Sequence, residues 1–314
     1  FFTDKNSMPK NFSVNNKFND ENFEIYKESK KSSWPNKFNR PIIQSKEFKK
    51  TVLKGNLVFR EDKIFPNSVE ILQGTKIMLA PKVSILFKNK VFANGSKDNP
   101  IIIKKINKEQ DPWGTFAIFG KNSKSSVLSN LYLSGGSGDV INDLKFYSML
   151  SIHKTENVIL DNLNLSNNSK FDDMVHIIYS NNISIKDSKF KNSIFDAIDV
   201  DISKKIKLEN LKIENSGNDA IDSMESDLKI YNSEIIGSKD KGVSSGENSS
   251  TEIFNSLFLN NNIAIASKDM SNVYVNNTIF KQNEIHLSSY KKNWRYNSSG
   301  KINSIISTFD GDNK

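Results

Sequence analysis

The stretch IKLENLKIENSGNDAIDSME, residues 206–225, follows ISIKDSKFKNSIFDAIDVDI at 183–202 and precedes LKIYNSEIIGSKDKGVSSGE at 228–247. The three are copies of one unit. VILDNLNLSNNSKFDDMVHIIY (158–179), TEIFNSLFLNNNIAIASKD (251–269) and VYVNNTIFKQNEIHLSSY (273–290) extend the series in both directions. One column of the alignment is Asp173, Asp196, Asp219, Lys241, Ile263 and Glu284; a second is Asn162, Asp187, Asn210, Asn232, Asn255 and Asn277. Both keep a period of 21–25 residues. A repeat of that length, built from short alternating segments cut by Asn, Asp, Ser and Gly, is one coil of a solenoid. The segments are too short and too β-branched for helices, and the Leu-x-x-Leu-x-Leu frame of a leucine-rich repeat is absent, so each unit reads as one rung of a parallel β-helix.

The composition follows from that coil. Ile206, Leu208, Leu211 and Ile213 alternate with polar residues, so they point inward and stack on their counterparts one rung away. Asn at the corner can hydrogen-bond to the Asn above and below it, which accounts for the asparagines without a ligand. A solenoid core is one-dimensional, so 314 residues at 36% hydrophobic content fit one elongated all-β domain.

Residues 1–50 are polar, with isolated aromatics such as Phe12, Phe23 and Trp34, and read as an irregular arm. From residue 51 to 314 we expect a single β-helix with capping segments at both ends. Trp113, between Pro112 and Gly114, reads as a residue packed on the core edge, ahead of a sugar-stacking platform. The absence of cysteine excludes disulfides and thiolate metal sites. No apolar run is long enough to span a bilayer. The chain opens on Phe1, so the lack of a leader there carries no weight. A formal charge of +8 favours an acidic partner. An acidic polysaccharide is expected ahead of nucleic acid, and the oligomeric state is left open.

The repeats FDAIDVDI, NDAIDSME and DKGVSSGEN, with GSKDNPIIIKK, PWGTFAIFG and SSYKKNWRY, resemble the right-handed parallel β-helix proteins of the pectate-lyase-like superfamily. Within it they most resemble modules found beside CotH-type spore-coat kinase-like domains and in bacterial surface proteins. The resemblance covers roughly residues 52–300. It implies a secreted or cell-surface location, and either a polysaccharide lyase or glycoside hydrolase or a non-catalytic binding or stalk module. NDAID followed by KGVSSGE is similar to the paired-Asp layout of polygalacturonase-type members, but Lys241 stands where their His would be and no Arg-x-Lys follows. Pectate-lyase members place Ca²⁺ among Asp and Glu near a basic residue, and the Arg expected as their base has no clear match here.

One column carries the candidate chemistry: His153, His176, Asp199, Asp222 and Ser244. With Ile198 and Val200 inward, Asp199 and Asp201 face out and Asp222 lies beside Asp199 one rung later. Stacked carboxylates ~4.8 Å apart repel one another unless a cation, a shared proton or a lysine relieves them. Asp199, Asp201, Asp222 and His176 are therefore the expected catalytic groups, with Lys241 or Lys268 as a base. Asp199, Asp222, Glu225 and Glu247 are the expected ligands of a Ca²⁺ ion. As turn and surface residues of a solvated coil the same aspartates would need no ligand. Tyr290, Lys291, Trp294 and Arg295 offer aromatic faces with positive charge for a bound glycan. His286, between Ile285 and Leu287, reads as a packed residue.

Overall fold

The computed structural model describes residues 50–310, together with an antiparallel strand pair, Phe12–Asn15 and Asn22–Ile25. The chain divides into two compact units, Phe1–Glu47 and Phe48–Lys314. Apart from its strand pair, the polar arm read over residues 1–50 lies outside the described residues.

The second unit is an all-β parallel β-solenoid of about ten turns. One rung shows the plan. Ile198–Asp201 belongs to sheet one, Lys204–Glu209 to sheet two and Lys212–Glu214 to sheet three. Each strand pairs in parallel with its counterpart on the next rung, which builds sheets of 10, 11 and 11 strands. The expected alternation holds throughout the quoted rung, with Ile206, Leu208, Leu211 and Ile213 all buried. Inward rows keep one kind of side chain along the axis. In sheet three Phe258, Phe280 and Phe309 stack with centroids 5.3 and 4.8 Å apart. In sheet one a row runs Ile152, Ile177, Val200 and then changes to Ser223, Ser245 and Ser267. Trp113 is fully buried and its Nε1–H donates to Ser134 O over 2.8 Å, as a packed residue should.

The corner between sheets two and three explains the Asn column. Asn162, Asp187, Asn210, Asn232, Asn255 and Asn277 all have φ between 49° and 53°, the left-handed region that Asn and Asp tolerate best. Their side chains form ladders, for example Asn277 Nδ2 to Asn255 Oδ1 at 2.9 Å and Asn255 Nδ2 to Asn232 Oδ1 at 3.3 Å. A buried serine ladder lies at the corner between sheets one and two. The amides of Ser180, Ser203 and Ser226 each donate to the Oγ of the serine one rung on, at 3.0 Å. These hydroxyls satisfy buried amides that a turn leaves without a sheet partner.

Two departures from the regular coil shape sheet one. Asp139–Ile141 and Leu144–Phe146 form an antiparallel hairpin through Asn142 and Asp143, both at positive φ. Its Ile141 and Phe146 pack on Leu86 and Ala117, outward residues of sheet one that are thereby buried. At the far end residues 291–300 leave the last sheet-one strand, Ile285–Tyr290, before the coil resumes at Lys301–Ile305.

Because each rung contacts only its neighbours, deletion of residues 204–226 should leave a folded protein one rung shorter. It rejoins Ser203 to Asp227, which stands one rung on from Lys204. Far-UV circular dichroism and thermal melting should show a cooperative β protein for this deletion. A deletion of equal length shifted by about ten residues should lose cooperative melting. Within the rung, Leu208 is fully buried, and Leu208→Ala should destabilise the protein by about 2–5 kcal/mol in urea unfolding.

Candidate active site on sheet one

Strand alternation turns Ile198 and Val200 into the core and Asp199 and Asp201 out, as expected. Asp199 pairs in register with His176 on one side and Asp222 on the other, and Asp222 with Ser244 beyond. The first member of the column is different. Ser151, not His153, is the register partner of His176, and His153 pairs with Ile178. The turn between these rungs carries two extra residues, since Asn162 to Asp187 spans 25 where most rungs span 22 or 23. His153 still meets His176, edge to face at 4.9 Å, but it is buried beneath Phe146 of the hairpin. Burial, then His176 and Lys154, lower its pKa to about 3, so it is neutral.

Two groups of side chains converge. In the first, His176 Nε2 lies 3.4 Å from Asp201 Oδ2 and 3.7 Å from Asp199 Oδ2. In the second, oxygens of Asp196, Asp219 and Asp222 lie within 4.8 Å of one another. Asp196 and Asp219 end the turns that lead into sheet one and are almost wholly buried. Asp196 Oδ1 accepts from the Asp219 amide at 2.7 Å and from Asn218 Nδ2 at 2.8 Å, and Asp219 Oδ1 accepts from the Lys241 amide at 2.9 Å. Each turn is thus pinned to the next by a carboxylate. Asp196 and Asp219 are missing from the site expected from the sequence, although the signal was there: Asp-Ala-Ile-Asp occurs twice, 23 residues apart.

So many carboxyls in one place raise each other's pKa. Burial, then Asp201 and Asp222, hold Asp199 well above the carboxylate range. Asp173 is pushed up by burial and then by Asp199. Burial raises Asp219 to about 7, with Asp222 adding to it and Lys241 opposing. Burial also raises Asp196 to about 6, against the hydrogen bond from the Asp219 amide. Lys241 is buried, which opposes its charge, but Asp219 and Asp240 more than offset this and raise its pKa. Its Nζ contacts Asp240 and lies 3.4 Å from Asp219. An ammonium held in that way is a charge partner rather than a base near neutral pH. Lys268 is also buried, with Nζ 3.8 Å from Asp222 Oδ1, an oxygen that has no hydrogen-bond partner.

Glu225 and Glu247 stand at the corner that ends sheet one, outside both converging groups. The carboxylate oxygens that converge are those of Asp196, Asp219 and Asp222, ligands of the kind Ca²⁺ accepts, while the group containing His176 offers nitrogen as well. Tyr290 pairs with Lys268. The loop after it is anchored by the amides of Lys292 and Asn293, which donate to Asp269 Oδ1 at 2.7 and 2.8 Å. Trp294 is 83% exposed with the Arg295 guanidinium 6.0 Å from its ring. Lys291 is exposed on the same loop. These residues flank the C-terminal end of the cluster and take no part in it. His286 packs between Phe280 and Phe309 and bonds Asp310 O through Nε2 at 2.8 Å.

Residues 148–299 match the family model described as the right handed beta helix region. That stretch is a right-handed β-helix region. The solenoid is similar to the catalytic domain of a GH87 alpha-1,3-glucanase in complex with nigerose, at 11% identity and TM-score 0.51, over 83% of this chain and 61% of that one. Further similar structures are a pectate lyase from Bacillus sp. N165 in complex with trigalacturonate (12% identity, TM-score 0.44, 81% and 82% covered) and an alginate lyase from Paenibacillus sp. str. FPU-7 (13%, 0.37, 76% and 93%). No curated protein matches the chain. The chain is thus a right-handed parallel β-helix, and at these identities the likeness is one of fold alone. The narrower resemblance to modules beside CotH-type domains rests on the sequence alone. Among the described residues no helix is long and apolar enough to cross a membrane.

The raised carboxyls fix a pH response. A carboxyl whose folded pKa exceeds its unfolded value binds more protons in the folded state, so stability is lost as pH rises through that interval. For Asp196 the interval runs from the ordinary value of 3.8 to about 6. An Asp196→Asn variant keeps the acceptor oxygen used by Asp219 and Asn218 but cannot ionise. Its stability relative to the parent should rise between about pH 4 and 6, by on the order of 1–2 kcal/mol, and stay level above. Urea unfolding of both proteins across that range in metal-free buffer measures it.

Proposed function

We propose that the protein is a polysaccharide-cleaving enzyme of the secreted or cell-surface kind, with the acidic cluster on sheet one as its centre. The observation that carries this reading is the pairing of Asp199, whose pKa burial and then Asp201 and Asp222 push well above the carboxylate range, with Asp222 directly beside it on the next rung. A protonated carboxyl next to a second carboxyl is the equipment of glycoside hydrolysis. Asp199 would deliver its proton to the leaving glycosidic oxygen as the bond to the anomeric carbon breaks. Asp222, beside it at the ~4.8 Å rung spacing, would attack that carbon as the bond breaks, and Asp199 would then take the proton of the water that releases the sugar from Asp222. His176, within reach of both Asp199 and Asp201, orients their carboxyls.

A second reading, a Ca²⁺-dependent lyase acting on a uronate polymer, is favoured by the convergence of Asp196, Asp219 and Asp222 and by the unpartnered Asp222 Oδ1. Those three would hold the ion, and the ion would neutralise the uronate carboxylate and acidify the proton next to it. The charged state of Lys241 favours the hydrolase, because it leaves the lyase without that residue as its base. In a binding or stalk module Asp196 and Asp219 would still pin successive turns, whereas the outward pair Asp199 and Asp222 makes no side-chain hydrogen bond among the described residues and so favours chemistry.

Incubation with pectate, alginate and α-1,3-glucan separates these readings. A hydrolase releases reducing ends without near-ultraviolet absorbance, whereas a lyase gives an unsaturated, absorbing product and stops with chelator. The double variant Asp199→Asn with Asp222→Asn should lower turnover by at least about 10³-fold and raise the melting temperature in metal-free buffer. A double variant as active as the parent, and no more stable, would remove the cluster from the chemistry.

A further inference from the structure

The cluster is acidic, yet the chain as a whole is basic, and part of the excess is placed close by. A cavity of about 500 Å³ opens at the corner that ends sheet one, lined by Lys121, Asn122, Lys124, Lys154, Tyr179 and Asn181, with Glu156 the one acid on its wall. Three lysines face one glutamate. Among the described residues none of the three makes an ion pair, although lysines elsewhere on the coil, such as Lys204, Lys207 and Lys229, do. The cavity floor is fixed to the coil. Lys121–Ser123 is a 3₁₀ turn tied to the neighbouring rung by Gly120 N to His153 O and Ser125 N to Glu156 O, each 3.0 Å. Lys154 reaches over two rings, with Nζ 5.7 Å from Phe119 and 5.9 Å from Tyr179.

The corner itself is unusual. From Asn130 to Asn277 the left-handed position at the corner between sheets two and three is filled by Asn or Asp, which tolerate it. At the sheet-one corner Gly120, Asn248 and Asp269 are left-handed as well, but on the rungs between them the position is held by Lys154, Tyr179, Ile202 and Glu225, none of which is Asn, Asp or Gly. For a tyrosine this backbone is an outlier. Tyr179 sits there at φ 51° and is 53% exposed, so the strain is not offset by burial of the ring. What its position achieves is to stand the ring at the wall of the cavity, at the end of the strand that carries His176. Its amide donates to Asp201 O at 3.2 Å, which couples the cavity wall to the cluster.

We propose that this cavity is a subsite for an anionic sugar residue of the polysaccharide, resting on the reading of sheet one as a glycan-cleaving site. The three ammonium groups take the carboxylate or sulfate, Asn122 and Asn181 the ring hydroxyls, and Tyr179 the apolar face of the ring. The subsite lets a negatively charged chain lie across an acidic cluster, by holding its charge one corner away from the carboxyls.

The test is affinity electrophoresis of the full chain in gels containing polygalacturonate, dextran sulfate or neutral dextran, with turnover measured in parallel. The parent should be retarded by an anionic polymer and not by dextran, and less so as salt rises. Lys121→Gln with Lys124→Gln and Lys154→Gln should weaken that retardation roughly tenfold or more, and Tyr179→Ala severalfold, while melting shows both folded. Retardation by polygalacturonate alone identifies the carboxylate as the anion, and by dextran sulfate alone the sulfate. Retardation without turnover would sink the catalytic reading and leave the subsite standing. Turnover or retardation that the lysine variants do not change would overturn the subsite and leave the catalytic reading. A parent retarded by neither anionic polymer overturns the subsite as well.

Discussion

A strand in the middle of a solenoid has no hydrogen-bond partner within its own rung, so each backbone N–H and C=O must find one on the rung above or below. That requirement sets the spacing of ~4.8 Å and, because the sheets are parallel and in register, places like positions on top of one another. The core is the favourable result. Ile stacks on Ile, Phe on Phe, and the corner asparagines on asparagines, so a chain of modest hydrophobic content buries a continuous apolar column.

The same register produces the unfavourable result on the outer face of sheet one. An Asp-Ala-Ile-Asp unit repeated at the rung period puts four carboxyls into two adjacent rungs, where low exposure strengthens their repulsion. The chain relieves this in three ways. Two carboxyls accept backbone amides of the following turn, Lys241 and Lys268 approach from the next two rungs, and the pKa of Asp199 is pushed up towards its neutral form. A coil that needed only stability would carry neutral residues there, as it does further along the column, where Ser244, Ala266 and Ser288 follow Asp222.

The setting of the cluster depends on segments outside the repeat. The hairpin at Asp139–Ile141 and Leu144–Phe146 covers the first strands of sheet one and buries His153, and the loop at 291–300 flanks the last. Between them lie the rungs of His176, Asp199 and Asp222, whose side chains keep partial exposure. The lysine-lined cavity lies on the corner beside these rungs, and so two short departures from regularity and one corner bound the face that carries the cluster.

The sequence by itself determined the coil, since the alternation around Ile206 and Leu208 and the Asn column report the inward face and the corner directly, and it placed Asp199, Asp201 and Asp222 on the outward face by parity alone. It could not place His153, because a turn longer by two residues breaks a column counted at constant step. Nor could it show that Asp196 and Asp219 join the site. Turn residues have no fixed parity, and only the tertiary structure shows which way they point. The charge on Lys241, the cover provided by the hairpin and the meeting of Lys121, Lys124 and Lys154 with Tyr179 were likewise decided in three dimensions. Burial and the approach of side chains from different rungs create those properties, and neither is a property of a residue and its immediate neighbours in the chain.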